Sequence, residues 1–531
     1  MTLPEVTKAA DERHIITIGQ DIIHSASHGR VKTPKHVGLA VSVRHMTGSK
    51  TIINILNRMG HCSSYEDVEA VDTSLAMEAV AKSNLFSAIT PSNILPGVFI
   101  QAAADNNDIN EETLDGKHTT HATTLVLYQK GQFGPQPQKK ALVEHTRKRR
   151  TLTASDGCQA MLEYNTYGKK PPVKEFMHAI QQEWYISDSA LDDDASRMDL
   201  AWALVCMIPT KLFKVELCPM PPDQQKIPSW SGFSALISHP SASITKVGYC
   251  TMINGSPTDA STVYTVIKIV QKMMASLGQQ YSVITFDLAI YMKAKEIQWH
   301  SPREFTDGVI RMGGFHTALN FLAVIGKMFE DSGLADLLIE SGVYGFNTAS
   351  NLLKGKSYNR GIRGHKLVME ALMRLQWQEM CKWKSERKDD TEVDEEVMSA
   401  HIQACKNAVE QRSDDIRACC ETVCEDMDKI QKLMEVFRST GKETSHLFYF
   451  WDTYIEMVQL LLQFIRAERD GCWDLRLATV SQMAPYFYAM DRTNYSRWLP
   501  VHLLDMHQLP QKFPEVYEEF LKGNHAVSWS T

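Results

Sequence analysis

In the middle of the chain, short apolar runs alternate with polar clusters in the manner of buried strands. Val98–Ala104 is such a run, and the polar cluster Asp105–Asp108 follows it directly. This pattern predicts a buried strand that ends in a turn. A tight-turn signal at Leu114–Lys117 precedes Thr119–Tyr128, which is rich in Thr, Val, Leu and Tyr. The second run predicts a strand that pairs antiparallel with the first.

A second group of predicted elements lies further along the chain. Val247–Ile253 predicts a third strand, and apolar residues at helical spacing predict a helix over about Ala260–Leu277. Tyr281–Phe286 predicts a compact strand that delivers Asp287 at its end, and Gly308–Met312 predicts a fifth strand. Up to Asp287 the order is strand, strand, strand, helix, strand, and an acidic residue follows the first and the fourth strands.

Asp105 and Asp287 are the candidate chemical residues of this pattern, because carboxylates at a sheet edge can bind a metal ion or a substrate. Asp108 can assist Asp105 as a metal ligand, although turn formation explains this residue equally well. The alternative is an ordinary hairpin whose Asp and Asn residues only cap and turn the chain. His316 lies in a predicted turn, Gly313–His316, and is either a substrate or metal contact or a hydrogen-bonded turn residue.

The order of these elements resembles the ribonuclease H-like fold of DDE-type transposases and related polynucleotidyl transferases. It consists of strand-end Asp105, a hairpin partner, a third strand, a helix and strand-end Asp287. In those enzymes the first and fourth strands carry two metal-binding aspartates, and a third acid lies on a helix beyond the fifth strand. The resemblance implies an α/β protein with a mixed sheet and covers about residues 98–316. The stretches GGFH, DSGL and GKSYNRGIRGH also look like uncharacterised animal proteins associated with mobile elements.

The resemblance also implies a cofactor, Mg²⁺ or Mn²⁺, held between Asp105 and Asp287. It leaves the third acid open. Glu340 and Glu370 lie on predicted helices after the fifth strand and are the two candidates within the chain. Because some transposases insert a helical domain before the last acid, a position beyond the end of this sequence is a further alternative, and the chain would then be inactive.

Two functions of different kinds follow from this resemblance. The first is a transposon-derived, metal-dependent polynucleotidyl transferase or nuclease that acts on DNA. The second is a catalytically dead, domesticated or truncated transposase that serves as a DNA-binding or protein-interaction scaffold. An unrelated α/β enzyme with a small-molecule pocket is a third alternative. DNA is the expected partner, a homo-oligomer is compatible with these functions, and no membrane partner is expected.

Composition limits the setting in which such a protein works. The 531 residues are 44% hydrophobic and 22% charged, as in globular proteins, and the formal net charge is −7. A chain of this charge needs a local basic face to bind DNA. No apolar run reaches the roughly 18 to 20 residues of a membrane span, and the N-terminal residues lack a signal-peptide core. A nuclear or cytoplasmic location is therefore expected.

The predicted organisation has three parts. Residues 1–90 form a mostly helical region, residues 91–316 the ribonuclease H-like core, and residues 317–531 a helical region that resembles an inserted domain. A long insertion at about 130–246 separates the second and third strands. It contains the densest basic run of the chain, His145–Arg150, which predicts a solvated linker, a nuclear-import signal or a phosphate contact.

The best candidate for DNA contacts lies in the helical region. Several cationic residues and a histidine cluster there among glycines that allow close approach of the backbone. The alternative is a connection between helices with a solvated basic face. The predicted contacts are Lys354, Lys356, Arg360, Arg363, His365 and Lys366.

The eleven cysteines are scattered along the chain, and most are expected to be buried thiols of a reducing compartment. Cys420 and Cys424 lie one helical turn apart, as do His401 and Cys405. This spacing predicts either a four-ligand metal site or ordinary helical cysteines.

Overall fold

The computed structural model describes residues 3–81, 90–91, 93–110, 119–130, 161–165, 189–207, 228–237, 244–387, 395–413 and 415–527. These residues fall into two compact units, one formed by the described residues before position 91 and the other by those from position 91 onward.

The first unit is helical in its described part. Its helices are α1 (Leu3–Ala26), α2 (Pro34–Thr47), α3 (Lys50–Arg58) and α4 (Tyr65–Ala81). Helices α2, α3 and α4 pack around a small apolar core. The fully buried residues of that core are Ala40, Ile53, Cys62 and Val68.

The second unit contains one five-stranded sheet. The strands are β1 (Ile100–Asn110), β2 (Thr119–Lys130), β3 (Thr245–Tyr249), β4 (Ser282–Phe286) and β5 (Gly308–Met312). Their spatial order is β3, β2, β1, β4, β5. Strand β2 is antiparallel to β1 and β3, whereas β4 is parallel to β1 and β5. This is the ribonuclease H-like mixed sheet that the sequence predicts, and a large helical C-terminal region accompanies it.

The helices of this unit occupy most of its described residues. They are α5 (Ser189–Met207), α6 (Trp230–Ile237), α7 (Ala260–Ser276), α8 (Leu288–His300), α9 (Gly314–Met328), α10 (Leu334–Glu340), α11 (Phe346–Leu353), α12 (Tyr358–Arg387), α13 (Glu395–Gln411), α14 (Ile416–Thr444), α15 (His446–Asp470), α16 (Trp473–Ala489), α17 (Thr493–His507), α18 (Leu509–Lys512) and α19 (Pro514–Leu521).

Strands β4 and β5 are buried almost throughout. Helices α7 and α8 pack against this part of the sheet. The rings of Trp473 in α16 and Phe520 in α19 lie against Arg311 of β5. Strands covered on both faces read as continuous apolar runs rather than alternating ones, which is why short segments such as Gly308–Met312 could be placed from sequence.

Strand β1 is longer than the sequence predicts. The predicted turn at Asp105–Asp108 is wrong, because the backbone of these residues continues the ladder with Thr124 to His121 of β2. The polar side chains are tolerated because Asp105 and Asn106 are exposed. The predicted turn at Leu114–Lys117 and the basic run His145–Arg150 lie outside the described residues.

The chain around Gly313 also differs from prediction. Gly313–His316 was expected to form a turn, but Gly313 is the N-cap of α9 and Gly314 begins the helix. The Gly313 N–H donates to the Phe286 carbonyl oxygen at 2.8 Å, so the helix starts directly against β4. As a result, His316 lies in the first turn of a helix that points at the sheet edge.

Within the described part of the chain, no helix is both long and apolar enough to cross a membrane.

A close contact between two helices of this region predicts a stability effect. Gly326 of α9 lies so near Leu353 at the end of α11 that a Cβ at position 326 would overlap the Leu353 carbonyl group. We expect Gly326→Ala to lower the free energy of unfolding by about 1–3 kcal/mol, since a backbone group must move to admit the methyl group. Thermal or denaturant unfolding measures the change.

Gly345→Ala is the matched control, because an added Cβ there would meet no atom and the glycine has an ordinary negative φ. Equal melting temperatures for both variants and the wild type, or a higher one for Gly326→Ala, would contradict this expectation.

Candidate active site

The register of two parallel strands brings the two predicted aspartates to one place. Ala104 of β1 pairs with Phe286 of β4, and this is the last pair of their ladder. Asp105 directly follows Ala104, and Asp287 directly follows Phe286. Neighbouring strands lie about 4.8 Å apart, so two residues at equivalent positions are close neighbours. Both aspartates line the same cavity.

Asp287 is held in place by the helix that it starts. It is the N-cap of α8, and its Oδ1 accepts a hydrogen bond from the Ile290 N–H at 2.9 Å. Burial raises the pKa of this carboxyl group, the backbone N–H groups oppose the rise, and the Asp105 carboxylate adds to it. Asp287 is therefore a positioned acid that faces a second negative charge.

Asp105 is the more open of the two acids, with 61% of its side chain exposed. The Nε2 atom of His316 lies 4.0 Å from its Oδ2 atom. His316 also lowers the pKa of Asp287, although burial and Asp105 outweigh this effect. His316 therefore lies in the same cavity as the two aspartates, and its role as a substrate or metal contact stays a prediction.

The cavity that these residues share has a volume of about 520 Å³. This size falls in the roughly 300–1,000 Å³ range of small-ligand sites. One wall is aromatic, because Phe315 and Tyr358 lie there with their ring centroids 5.0 Å apart. Other lining residues are Gln101, Tyr128, Arg311, Glu468, Arg469 and His525.

Glu468 is the acid that the sequence did not identify. It lies near the C-terminal end of α15 and lines the cavity together with Asp105 and Asp287. Its Oε1 atom accepts a hydrogen bond from Arg476 Nε at 2.7 Å. Gly314 leaves room for it, because a Cβ at that position would overlap the Glu468 carboxylate.

Neither acid proposed from sequence reaches this cavity. Glu340 is exposed at the end of α10, and Glu370 in α12 pairs with Arg374 one turn later. Neither residue lines the cavity. The apolar pattern over Leu447–Arg469 predicts a strong helix, but nothing in the sequence shows that its last turn returns to the sheet. Asp108 lies on β1, and its side chain is outside the described part of the structure.

The acids supply the hard oxygen donors that Mg²⁺ and Mn²⁺ prefer. The Asp105 carboxylate raises the pKa of Asp287, and a cation between the two would relieve this repulsion. In the described residues, however, no group of three or more His, Cys, Asp or Glu side chains is close enough to hold a metal ion. Asp105 and Asp287 thus fit a cation, whereas the carboxylate of Glu468 accepts a hydrogen bond from Arg476.

The predicted basic cluster divides into two sets. Lys354, Lys356, Arg360 and Arg363 are exposed around the start of α12. His365 does not belong with them, because it is buried, its Nδ1 lies 2.8 Å from Tyr454 Oη, and burial lowers its pKa to about 4.

Lys366 is also largely withdrawn from solvent. Its Nζ donates to Ser231 Oγ at 2.9 Å, and burial lowers its pKa. The exposed basic surface therefore consists of the four residues Lys354, Lys356, Arg360 and Arg363.

The cysteine pattern gives a thiol pair rather than a metal site. Cys405 and Cys420 are buried, and their Sγ atoms are 3.4 Å apart between α13 and α14. His401 pairs instead with Asp426. No metal-holding group occurs there among the described residues.

The family described as a domain of unknown function (DUF8702) matches residues 229–531. No curated protein and no solved structure matches the chain.

The raised pKa of Asp287 predicts a pH-dependent cost to stability. When the pKa of a carboxyl group is higher in the folded than in the unfolded protein, its ionisation destabilises the folded state. The protein therefore loses stability as the pH rises through the folded-state pKa. Asp287→Asn keeps an acceptor for the Ile290 N–H and removes the charge. We expect it to raise the melting temperature by about 1–3 °C at pH 7, with a gain that shrinks as the pH falls towards the ordinary value of 3.8.

The matched control is Asp259→Asn, at the exposed N-cap of α7, which should show no such pH-dependent gain. A melting temperature for Asp287→Asn that is below the wild type at pH 7, or a difference that is constant with pH, would contradict the expectation.

Proposed function

Since the chain belongs to the family described as a domain of unknown function (DUF8702), which names no activity, we propose from its site that it is a metal-dependent polynucleotidyl transferase or nuclease. DNA is its proposed substrate, and DDE-type transposases are the enzymes that it resembles. The observation that supports this most is the position of Asp105, Asp287 and Glu468 in one cavity at the edge of a ribonuclease H-like sheet.

The three acids have different parts in this proposal. Asp105 and Asp287 hold the cation, and Asp287 enters already oriented by its bond from the Ile290 N–H. Glu468, whose Oε1 atom accepts a hydrogen bond from Arg476, would be the third residue to hold the cation. When bound, a divalent cation of this kind activates the attacking hydroxyl or water and stabilises the leaving oxygen.

His316 and Arg476 act on these acids rather than on the cation. His316 lies 4.0 Å from Asp105 and can hold a proton beside the reacting phosphate. Arg476 fixes Glu468 and is itself almost fully buried, so the position of the third acid depends on a rigid partner.

The exposed basic surface supports DNA as the substrate. Lys354, Lys356, Arg360 and Arg363 flank Tyr358, and Tyr358 lines the cavity. A phosphate backbone that follows these residues would therefore lead towards the acids. Such contacts position DNA without reading its sequence, which suits a chain whose overall charge is −7.

A second function, a DNA-binding scaffold without catalysis, is supported by one specific observation. Glu468 is paired with Arg476, and the described residues contain no group of three ligands within metal-binding distance. If Arg476 does not release Glu468, the two aspartates alone hold a cation too weakly for turnover.

Cleavage of labelled DNA with Mg²⁺ or Mn²⁺ separates the two functions. We expect Asp105→Asn, Asp287→Asn and Glu468→Gln each to reduce the rate at least about a hundredfold, because each removes a charge from the cation site. Glu340→Gln is the matched control, an exposed acid of the same unit that does not line the cavity, and it should cleave like the wild type.

Two other outcomes would contradict the proposed catalysis. Equal cleavage by the wild type and all four variants would remove the active site proposed here. Absence of cleavage by the folded wild type with either cation, together with DNA binding, would support the scaffold instead.

DNA binding tests the basic surface separately. The double variant Lys354→Glu/Arg363→Glu should bind duplex DNA at least about tenfold more weakly, and its plot of log affinity against log salt should lose a slope of about 2, since each phosphate contact contributes about 0.9. Fluorescence anisotropy over a salt series gives both values.

Lys432→Glu, an exposed lysine of α14, serves as the charge-matched control for each single reversal. The basic surface is not the DNA contact if this control weakens binding as much as Lys354→Glu alone, or if the double variant keeps the wild-type salt slope.

A further inference from the structure

The inner end of the cavity is cationic and enclosed. Arg311 of β5 lines it, although only 3% of this residue is exposed. Its guanidinium group packs against the rings of Phe520 and Trp473, at 4.7 and 5.5 Å from their centroids. Its Nη1 donates to Gln101 Oε1 at 2.9 Å and to the His525 carbonyl oxygen at 3.3 Å. No carboxylate forms an ion pair with it among the described residues.

More positive than negative charge is buried around Arg311. Burial lowers the pKa of Arg311 most, and the nearby Arg476 lowers it further. Burial also lowers the pKa of His525 most, and Lys130 adds to that effect. Lys130 is buried, and its Nζ donates to the carbonyl oxygen of Gly523 at 3.1 Å, with no carboxylate partner among the residues that the structure describes. Glu468 is the carboxylate that offsets these cations. Uncompensated buried charge is costly, so an anion in the cavity would stabilise this cluster.

Hydrogen-bond donors are also left over at this point. Arg311 Nε, Arg476 Nη1 and Trp473 Nε1 are buried and meet no acceptor among the described residues. Buried donors normally have a partner, because a missing one costs about 1–3 kcal/mol. The guanidinium groups of Arg311 and Arg476 lie at the same distance, 5.5 Å, from the Trp473 ring, so the donors belong to one cluster.

We propose that this inner end is a subsite for a terminal phosphate monoester of a nucleic-acid strand, bound through Arg311 and, at the open side of the cavity, Arg469. The choice of a nucleic acid rests on the proposed function. Guanidinium groups bind phosphate oxygens through two parallel hydrogen bonds, and Arg469 is exposed on the same cavity.

A terminal rather than an internal phosphate fits because Arg311 is enclosed. An internal phosphodiester carries a sugar on both sides and must stay in an open groove, whereas a terminal phosphate presents three free oxygens and can enter end first. The adjoining wall suits the last nucleotide, since Phe315 is 56% exposed and packs against Tyr358. Stacking of a base on such rings contributes about 1–3 kcal/mol.

Binding of short single strands in EDTA tests this subsite without cleavage. Three oligonucleotides of one sequence are compared by anisotropy: one with a 5′-phosphate, one with a 3′-phosphate and one with hydroxyl groups at both ends. We expect one phosphorylated strand to bind at least about tenfold more tightly than the hydroxyl strand. Arg469→Ala, a change of an exposed residue, should remove most of this preference and leave the melting temperature unchanged.

Arg311→Lys is the second variant, because it keeps the charge and loses the forked donor. It should also reduce the preference, and thermal unfolding reports whether it folds. Asp105→Asn should keep the preference. Cleavage by Asp105→Asn at the wild-type rate, with the preference retained, would overturn the proposed catalysis and leave the subsite intact. Equal binding of all three strands, or a preference that neither arginine variant changes, would overturn the subsite. Competition by a free mononucleotide as strong as that by the phosphorylated strand would overturn the choice of a polynucleotide.

Discussion

The arrangement of this molecule depends on the parallel pairing of β1 with β4. Only three residue pairs form that ladder, from Ala102 with Ile284 to Ala104 with Phe286. A slip of one residue would turn Asp105 to the opposite face and separate it from Asp287. The register is protected because Ala102, Ala104, Ile284 and Phe286 are all buried and cannot exchange faces with polar neighbours without loss of packing.

Much of the sheet could be predicted because its strands are locally distinct. The buried strand over Gly308–Met312 and the helix that begins at Ala260 agree with the structure at those residues. The errors arose where tertiary contacts override local signals. Asp105–Asp108 look like a turn, yet β2 extends far enough to pair with them, and the glycines at 313 and 314 start a helix because β4 offers a carbonyl oxygen as a partner.

The composition of the site was predictable only in part, for a related reason. Asp105 and Asp287 follow recognisable strands, so their meeting could be inferred from topology. Glu468 lies in α15, which six other helices separate from β5 along the chain. Its position beside the sheet depends on the packing of α15 with α9 and α16. A carboxylate on a long helix has no local mark that distinguishes it from Glu340 or Glu370. Sequence reasoning alone therefore could not choose among them.

The hydrogen bonds that seal the inner wall have a consequence for how the protein matures. Gln101 reaches the carbonyl oxygen of Asn524, and Lys130 reaches that of Gly523, over sequence separations of 423 and 393 residues. During synthesis the strands of the sheet leave the ribosome long before these partners exist. A nascent chain therefore carries both aspartates while the wall beside Arg311 is still open, and the ability to enclose a ligand arises only after Gly523 and Asn524 have been synthesised.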